Sequence, residues 1–253
     1  MTASAASFEP ALLARLRAAR TVAALTGACI SAESGIATFR DAQQGLWARF
    51  DPRELATPSA FARHPRRVWD WYAWRREQVS AALPNPGHRA LAALERRSPG
   101  FVLVTQNVDG LHQKGGSRNV AELHGNITRV KCSREGTLVE RWEESGPDPP
   151  RCARCGAFLR PDVVWFDEML PEGALAAAED AVRRCHVLLV IGTSAEVYPA
   201  AGLPQAAQAS GALVVEINPN ATPLSSTADC VLRGPAGIVL PALLSALDSA
   251  DPG

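Results

Sequence analysis

Four short apolar runs constrain the fold of this chain most strongly. Each is hydrophobic on both faces: residues 21–25, 101–104, 187–191 and 212–217. Runs of Val, Leu and Ile with no polar face are typical of buried parallel strands. Alanine-rich segments that lie between or beside the runs predict helices: residues 87–97, 171–184 and 200–210. This alternation predicts an α/β fold built on a doubly wound parallel sheet.

Small and amide-bearing residues follow each run directly. Gly27 and Ala28 come after the first, Asn107 after the second, Gly192 after the third and Asn218 after the fourth. In a doubly wound sheet, ligands bind in the crevice beyond the carboxyl ends of the strands. Amides freed at a strand-to-helix turn can cradle a diphosphate there. The first turn lacks the GxGxxG dinucleotide fingerprint, however, so alone it indicates anion binding only weakly.

Residues 125–161 interrupt the alternation. The segment is polar, contains the proline-rich stretch 146–150, and carries Cys132, Cys152 and Cys155. We interpret it as a small inserted module rather than another strand-helix unit.

Composition narrows the classes of partner. The 26 Lys and Arg residues balance the 26 Asp and Glu residues, so the chain lacks the basic footprint of a nucleic-acid or anionic-membrane binder. Its apolar runs are too short to span a bilayer. Six cysteines at irregular spacing, without a hydrophobic signal core, indicate reduced thiols and a cytoplasmic location. Residues 9–20 are predicted to form the first helix rather than a transit peptide.

An arginine interrupts the apolar face of a predicted helix at residues 64–83. Steps of four and three residues place Val68, Tyr72, Arg75 and Val79 on one stripe. An inward guanidinium needs a partner, because an unpaired buried charge costs several kcal/mol. The stripe alone allows two partners: a distant Asp or Glu of the chain, or the carboxylate of a ligand held bidentately with help from the Tyr72 hydroxyl.

Several ordered motifs together resemble the sirtuin family, the NAD-dependent protein-lysine deacylases. The most specific is the continuous string from Thr26 to Asp41, Thr-Gly-Ala-Cys-Ile-Ser-Ala-Glu-Ser-Gly-Ile-Ala-Thr-Phe-Arg-Asp. The remaining motifs follow in family order: residues 105–112, 122–125, 160–166, 192–194 and 217–220. The resemblance extends over nearly the whole chain and implies a single catalytic domain, 1–253. Its implied NAD-binding, Rossmann-like part is 1–41, 85–127 and 161–253, with a helical and zinc-ribbon-like small module at 42–84 and 128–160.

The resemblance implies that NAD is consumed rather than reduced. The acyl-lysine oxygen attacks the ribose carbon as nicotinamide leaves, and the products are nicotinamide and O-acyl-ADP-ribose. His124 of the Glu-Leu-His-Gly motif is the implied general base on a ribose hydroxyl. Imidazole suits this role because its ordinary pKa is near 6.5. The other histidines have no such motif around them.

The family motifs also imply which residues contact NAD. Gln106, Asn107 and Asp109 are expected at the nicotinamide ribose and carboxamide, and Phe39 and Arg40 are expected to close over the cofactor. The remaining implied contacts include the phosphates (Thr193, Ser194), the adenine ribose (Asn218) and the adenine face (Ala236), together with Gly27, Ala28, Cys29, Ile30, Val108 and Gly192.

Two positions depart from the family pattern. Cys29 stands where the motif usually has a second glycine, and we expect its side chain to crowd the turn and to weaken NAD binding without abolishing it. In the inserted module the family usually has two Cys-x-x-Cys pairs that bind structural zinc. Here Cys152 and Cys155 form one pair, but the other has Glu135 in place of its second cysteine. Cys132, Cys152 and Cys155 are therefore the predicted ligands, with Glu135 as a fourth ligand or with the metal weakly held or lost.

Tyr72 and Arg75 resemble the Tyr-x-x-Arg pair of class III sirtuins, whose pocket accepts succinyl-, malonyl- or glutaryl-lysine. Ala56 also matches that class, and a small residue there would widen the pocket, while Val163 is the implied substrate-pairing residue. The ligand carboxylate thereby becomes the favoured partner of Arg75.

The expected binding partners are acyl-lysine proteins or peptides, and the protein is expected to be a monomer. The alternatives are a catalytically weak module that binds acyl-lysine, and a plain deacetylase. A zinc-ribbon nucleic-acid binder is disfavoured by the zero net charge.

Overall fold

A computed structural model describes residues 8–37, 51–143 and 146–249 of the 253-residue chain. Its strands are β1 (Val22–Thr26), β2 (Val102–Thr105), β3 (Val120–Glu122), β4 (Gly125–Cys132), β5 (Leu138–Val139), β6 (Leu159–Val163), β7 (Val187–Ile191), β8 (Leu213–Asn218) and β9 (Cys230–Arg233). Its helices are α1 (Pro10–Ala18), α2 (Cys29–Ala32), α3 (Pro58–Arg63), α4 (Pro65–Ala81), α5 (Pro86–Arg97), α6 (Leu111–Lys114), α7 (Glu172–Arg184), α8 (Leu203–Ala209) and α9 (Ala236–Ser249). Short 3-10 turns cover Pro52–Glu54, Ala200–Gly202 and Pro223–Ser226.

Six strands form one sheet in the order β3-β2-β1-β7-β8-β9, and every neighbouring pair is parallel. The α/β fold class is thus confirmed. The four predicted strands lie within one residue of their predicted ends. The apolar pattern did not predict β3 and β9, because these edge strands are short and only partly buried.

Helices cover both faces of the sheet because its central strands are apolar on both sides. On one face, Ala24 and Leu103 pack with residues of α1, α5 and α9, such as Leu16 and Leu91. On the other face, the adjacent Leu25 packs with residues of α7 and α8. Each central strand therefore contributes alternate side chains to two separate cores.

The inserted module contains a second, antiparallel sheet of three strands in the order β5-β4-β6. Helix α4 packs against it through the fully buried Trp69, which lies in one cluster with Val130, Cys132 and Leu159. The assignment of 42–84 and 128–160 to one module stays a prediction.

Several predicted elements differ in detail. The first helix ends at Ala18 rather than residue 20, and segment 200–210 begins as a 3-10 turn before α8. The motif at 160–166 is strand only as far as Val163. It leaves the sheet there because the Trp165 amide donates to the Glu168 carboxylate at 2.8 Å, whereas Phe166 donates to the Ala56 carbonyl at 2.9 Å. Across the described ranges, no helix combines the length and the apolar character of a membrane span.

Candidate active site

The predicted site residues meet at the point where the strand order reverses. From β1 the chain builds β2 and β3 on one side, and β7, β8 and β9 on the other. The ends of β1, β2 and β7 are level, because Thr26 is in register with both Thr105 and Ile191. The loops that follow them therefore share one edge of the sheet, where a reversal of strand order creates a ligand crevice.

Two glycines let the loops after β1 and β7 pack closely. A β-carbon on Gly27 would lie 2.7 Å from the Thr193 β-carbon, and one on Gly192 would lie 2.7 Å from the Ile30 amide nitrogen. Gly192 also has a φ of +60°, which favours glycine. Cys29, by contrast, begins α2, and its amide donates to the Gly192 carbonyl at 3.0 Å. The loops after β1 and β7 thus approach each other closely at Gly27 and Gly192. Any effect of Cys29 on cofactor binding stays a prediction.

A buried hydrogen-bond network joins the first two loops. The Asn107 amide donates to the Gly27 carbonyl and to the Ser31 hydroxyl, each at 3.1 Å. Ser31 in turn donates to Asp109 at 2.6 Å, and the other Asp109 oxygen accepts the Leu111 amide at 2.9 Å. Burial raises the pKa of Asp109, although its hydrogen bonds from Ser31 and Leu111 oppose that shift. The network fixes the buried side chains of Asn107 and Asp109 beside the loop after β1.

The loops after β2, β7 and β8 are also linked. Gln106 donates through its side-chain amide to the Thr193 hydroxyl at 2.9 Å, and Asn218 donates to the Thr193 carbonyl at 2.9 Å. Thr193 and Asn218 are buried. The structure therefore brings Gln106, Thr193 and Asn218 together as the sequence predicted, but their roles toward NAD remain a prediction.

His124 is oriented by the backbone. Its Nδ1 lies 2.8 Å from the Gln106 carbonyl oxygen. Because a carbonyl only accepts, Nδ1 carries the proton and Nε2 keeps its lone pair. Nε2 has no hydrogen-bond partner within the described ranges. Burial lowers the pKa of His124, and the bond to Gln106 partly opposes this, so the ring is a neutral base near pH 7.

Two other histidines lie beneath the crevice as a buried pair. The rings of His88 and His112 are 4.9 Å apart, and His112 Nε2 lies 2.9 Å from the Thr26 hydroxyl. Burial lowers the pKa of His88 to about 4 and that of His112 to about 3. Both are fully enclosed. They support the floor of the site and do not face its opening.

The predicted acyl-side residues share one apolar cluster. Ala56, Tyr72 and Val163 pack together with Phe61 and Trp165, and Val108 of the crevice packs against the same cluster. The Trp165 indole Nε1 donates to the Tyr72 hydroxyl at 3.0 Å. Burial raises the pKa of Tyr72, so the hydroxyl keeps its proton and remains a donor. The cluster that contains the predicted acyl-side residues therefore adjoins the loop after β2.

Arg75 is partly rather than fully buried. Its guanidinium carbon lies 5.4 Å from the centroid of the Trp71 ring, and burial lowers its pKa while the nearby Tyr72 and Asp109 oppose that shift. Among the described residues, no carboxylate forms an ion pair with Arg75 and no group accepts a hydrogen bond from it. The internal salt bridge that the stripe allowed is therefore not found in these ranges.

Four side chains of the inserted module form a candidate metal site. Sulfur atoms of Cys132, Cys152 and Cys155 and a carboxylate oxygen of Glu135 all lie within 4.8 Å of one another. The Cys132 and Cys155 sulfurs are 3.4 Å apart, and none of the three cysteines forms a disulfide. Three sulfurs and one oxygen around a common centre suit tetrahedral zinc.

The other predicted residues are placed as follows. Ala28 and Ile30 flank Cys29 at the start of α2, Ser194 follows Thr193 in the β7 loop, and Ala236 begins α9. Phe39 and Arg40 lie outside the described residues. Their predicted closure over the cofactor stays a prediction.

The sequence analysis assigned no function to three residues that the structure places in the site. Ser31 bridges Asn107 and Asp109, and Trp165 holds the Tyr72 hydroxyl. Asn85 donates to the Ile30 carbonyl at 2.6 Å and accepts the Gly87 amide at 2.9 Å, which ties α2 to α5. Ser31 and Trp165 lie within recognised motifs, but their partners are distant in sequence, so no local pattern indicated them.

Comparison with known proteins agrees with this geometry. The model of the Sir2 family matches residues 27–199. An NAD-dependent protein deacylase of Ralstonia nicotianae is 55% identical over 234 residues, which cover 91% of this chain and 93% of that protein. An NAD-dependent protein deacylase of Methylococcus capsulatus is 49% identical over 253 residues, with 97% and 99% covered.

Solved structures show the same architecture. A crystal structure of a Sir2 homolog–NAD complex superposes with a TM-score of 0.89 at 47% identity, covering 96% of this chain and 95% of that one. A Sir2–p53 peptide–NAD+ complex superposes with a TM-score of 0.82 at 32% identity, covering 96% and 100%. The family model matches residues 27–199, which include the catalytic-histidine motif and the inserted module. This chain therefore belongs to the Sir2 family.

Proposed function

We propose that the protein is an NAD-dependent protein-lysine deacylase that prefers acidic acyl groups, succinyl and malonyl, and also removes acetyl. The observation that carries the acyl preference is Arg75, a partly buried guanidinium with no carboxylate partner among the described residues, on the same helix face as the Tyr72 hydroxyl. A ligand carboxylate would satisfy both groups.

The crevice residues fit NAD. Amide and hydroxyl groups of Asn107, Thr193 and Asn218 converge at the carboxyl edge of the sheet, where the glycine-lined loops approach closely. The relatives named NAD-dependent protein deacylases and the neighbour solved with NAD support this choice of co-substrate. When bound, NAD supplies an electrophilic ribose carbon and nicotinamide as the leaving group.

His124 is the proposed general base. Its Nδ1 proton is held by the Gln106 carbonyl, so Nε2 can accept a proton from a ribose hydroxyl without a change of tautomer. Gln106 also bonds Thr193, which couples the orientation of the imidazole to the loop after β7. Asn107 and Asp109, which the Ser31 network holds in place, are proposed to orient the nicotinamide ribose and carboxamide.

The acyl chain is proposed to enter between Ala56, Val163 and Tyr72. Ala56 and Val163 lie in one apolar cluster that suits a methylene chain. Arg75 and Tyr72 would then receive the terminal carboxylate. Val163 ends β6, and the main chain beyond it leaves the sheet, so we propose that substrate backbone pairs beside this point.

Zinc is proposed as a structural metal held by Cys132, Cys152 and Cys155. These side chains connect β4 with the loop before β6 and take part in none of the proposed chemical steps. Metal binding would stabilise the inserted module, as in other small zinc ribbons.

We also propose where the protein acts, on which class of substrate and in which oligomeric state. Cysteines that form no disulfide support a reducing, cytoplasmic location. The balance of 26 basic and 26 acidic residues supports protein or peptide substrates rather than nucleic acid. We propose that the protein acts on acyl-lysine proteins as a monomer.

One assay separates this proposal from its rivals. The full-length protein is incubated with NAD and one peptide carrying acetyl-, malonyl-, succinyl- or glutaryl-lysine, and mass spectrometry follows deacylated peptide, nicotinamide and O-acyl-ADP-ribose. Turnover favouring acidic acyl groups supports the proposal. Faster turnover of acetyl-peptide indicates a plain deacetylase, and peptide binding without nicotinamide release indicates a catalytically weak binding module.

A further inference from the structure

Two turns of the inserted module are built alike. The first runs from Cys132 to Gly136 with the sequence Cys-Ser-Arg-Glu-Gly, and the second runs from Cys152 to Gly156 with the sequence Cys-Ala-Arg-Cys-Gly. Each places a cysteine first, an arginine third and a glycine fifth. They differ at the second position, Ser133 against Ala153, and at the fourth, where Glu135 stands in place of a cysteine.

The backbone hydrogen bonds of the two turns also correspond. In the first turn, Gly136 donates to the Cys132 carbonyl at 3.0 Å, and the Cys132 amide donates to the Thr137 carbonyl at 2.9 Å. In the second turn, Gly156 donates to the Cys152 carbonyl at 2.9 Å, and the Cys152 amide donates to the Ala157 carbonyl at 2.7 Å.

The closing glycines share a left-handed conformation. Gly136 has a φ of +68° and Gly156 a φ of +72°. Glycine adopts this region without steric cost, so the same chain reversal is achieved in both turns. Glu135 therefore occupies the backbone position that Cys155 occupies in the second turn, and its carboxylate faces the three sulfurs within 4.8 Å.

We infer that Glu135 is the fourth ligand of a zinc site built from three thiolates and one carboxylate. Cys132, Cys152 and Cys155 supply the thiolates, and Glu135 supplies one oxygen. The Glu135 amide also donates to the Cys132 sulfur at 3.4 Å, which binds the turn to its first ligand. The inference rests on the proposed zinc site and is independent of the proposed acyl preference.

Arg154 is the outer partner of this ligand. Its Nε lies 3.5 Å from a Glu135 carboxylate oxygen. Three thiolates and one carboxylate around Zn²⁺ leave a net negative charge, which a neighbouring guanidinium offsets. Partners of this kind orient metal-bound carboxylates.

A carboxylate oxygen in place of a fourth thiolate should weaken the retention of zinc. Zinc prefers thiolate over carboxylate in closed structural sites, and the Glu135 side chain is 28% exposed, so solvent can reach this side of the metal. The site is therefore expected to release zinc faster than it would with a fourth cysteine. Glu135→Cys should slow release, whereas Glu135→Ala, which opens one coordination position, should accelerate it.

The test measures zinc release from full-length protein purified without chelators. Zinc content is determined first, and the metal is then transferred to the chromogenic chelator 4-(2-pyridylazo)resorcinol. Loss of even an outer-sphere partner lowers metal affinity about 10- to 100-fold, so Glu135→Ala should release zinc at least about tenfold faster than the unsubstituted protein. Glu140→Ala, which removes a carboxylate from the same module outside the cluster, should leave the rate unchanged.

A second readout counts the thiolates directly. Protein exchanged with Co²⁺ should show thiolate-to-cobalt absorption that grows in Glu135→Cys as a fourth thiolate joins the other three. Unchanged cobalt absorption in Glu135→Cys overturns the inference, even where Glu135→Ala fails to fold. Zinc release from Glu135→Ala at the unsubstituted rate also overturns it, as does purified protein that contains no zinc and takes up neither Zn²⁺ nor Co²⁺.

Discussion

The Trp165 indole donates a hydrogen bond to the Tyr72 hydroxyl at 3.0 Å, across 93 positions of sequence. The bond uses the hydroxyl as an acceptor and leaves its proton to be donated elsewhere. Burial raises the pKa of Tyr72, so that proton is present at neutral pH. Trp165 itself is held by the Arg160 guanidinium, whose carbon lies 3.4 Å from the centroid of the indole ring system. We therefore propose that Trp165 positions the Tyr72 hydroxyl for the proposed recognition of an acyl carboxylate.

Replacing Trp165 with Phe should reduce activity on succinyl-lysine selectively. A neutral hydrogen bond contributes about 0.5–1.5 kcal/mol, so kcat/KM for succinyl-peptide should fall roughly 2- to 13-fold, with a smaller change for acetyl-peptide. The double variant Trp165→Phe/Tyr72→Phe should lose little more than Tyr72→Phe alone, because Trp165 acts through that hydroxyl. Fully additive losses in steady-state assays, or equal losses on both peptides, would show that Trp165 only packs the core.

Replacing His124 with Ala or Tyr should remove turnover but preserve the fold and NAD binding. Loss of a general base typically costs about 10²- to 10⁴-fold in rate. Formation of deacylated peptide and calorimetric NAD titration measure the two properties separately. His64→Ala, which changes an exposed histidine between α3 and α4, is the matched control and should behave as unsubstituted protein. The role is wrong if His124→Ala keeps more than about a tenth of the turnover.

The pH profile should have its acid limb below the ordinary histidine range. Burial lowers the pKa of His124, and only the neutral ring can act as a base. Activity should therefore be retained as the pH falls through 6.5 and should be lost only at lower pH, as the ring gains a proton. Acetyl-peptide is the substrate for this measurement, because its acyl group does not titrate. An acid limb of kcat/KM centred above pH 7 contradicts this assignment.

Sequence patterns predicted the sheet because the central strands bury both faces. Leu25 and Ala24 pack in opposite cores. A strand buried on both faces needs no polar residues, so its sequence is a continuous apolar run. The edge strands β3 and β9 escaped prediction, because partial burial leaves no continuous apolar signal. Motif 160–166 did not indicate where β6 ends, because that depends on the bond from the Trp165 amide to the Glu168 carboxylate.

The candidate site was predictable in its membership but not in its contacts. Motif positions indicated Asn107, Asp109 and His124, whose side chains come from loops at one sheet edge. The bond from His124 to the Gln106 carbonyl depends on the path of the backbone. The types of the two residues do not predict that path. Similarly, the stripe on α4 indicated Arg75 but left open whether a distant acid would reach it.

Arg75→Met tests the central claim most directly. Methionine keeps the bulk of the side chain and removes its charge, and Arg67→Met on the exposed side of the same helix is the control. Breaking a desolvated, hydrogen-bonded charge pair costs about 2–5 kcal/mol, or roughly 30- to 5,000-fold. We predict that kcat/KM for succinyl-peptide falls by that range, mainly through KM, whereas kcat/KM for acetyl-peptide is unchanged or slightly higher. Equal losses on both peptides would contradict the account, because they would mean that Arg75 supports the fold rather than the acyl carboxylate.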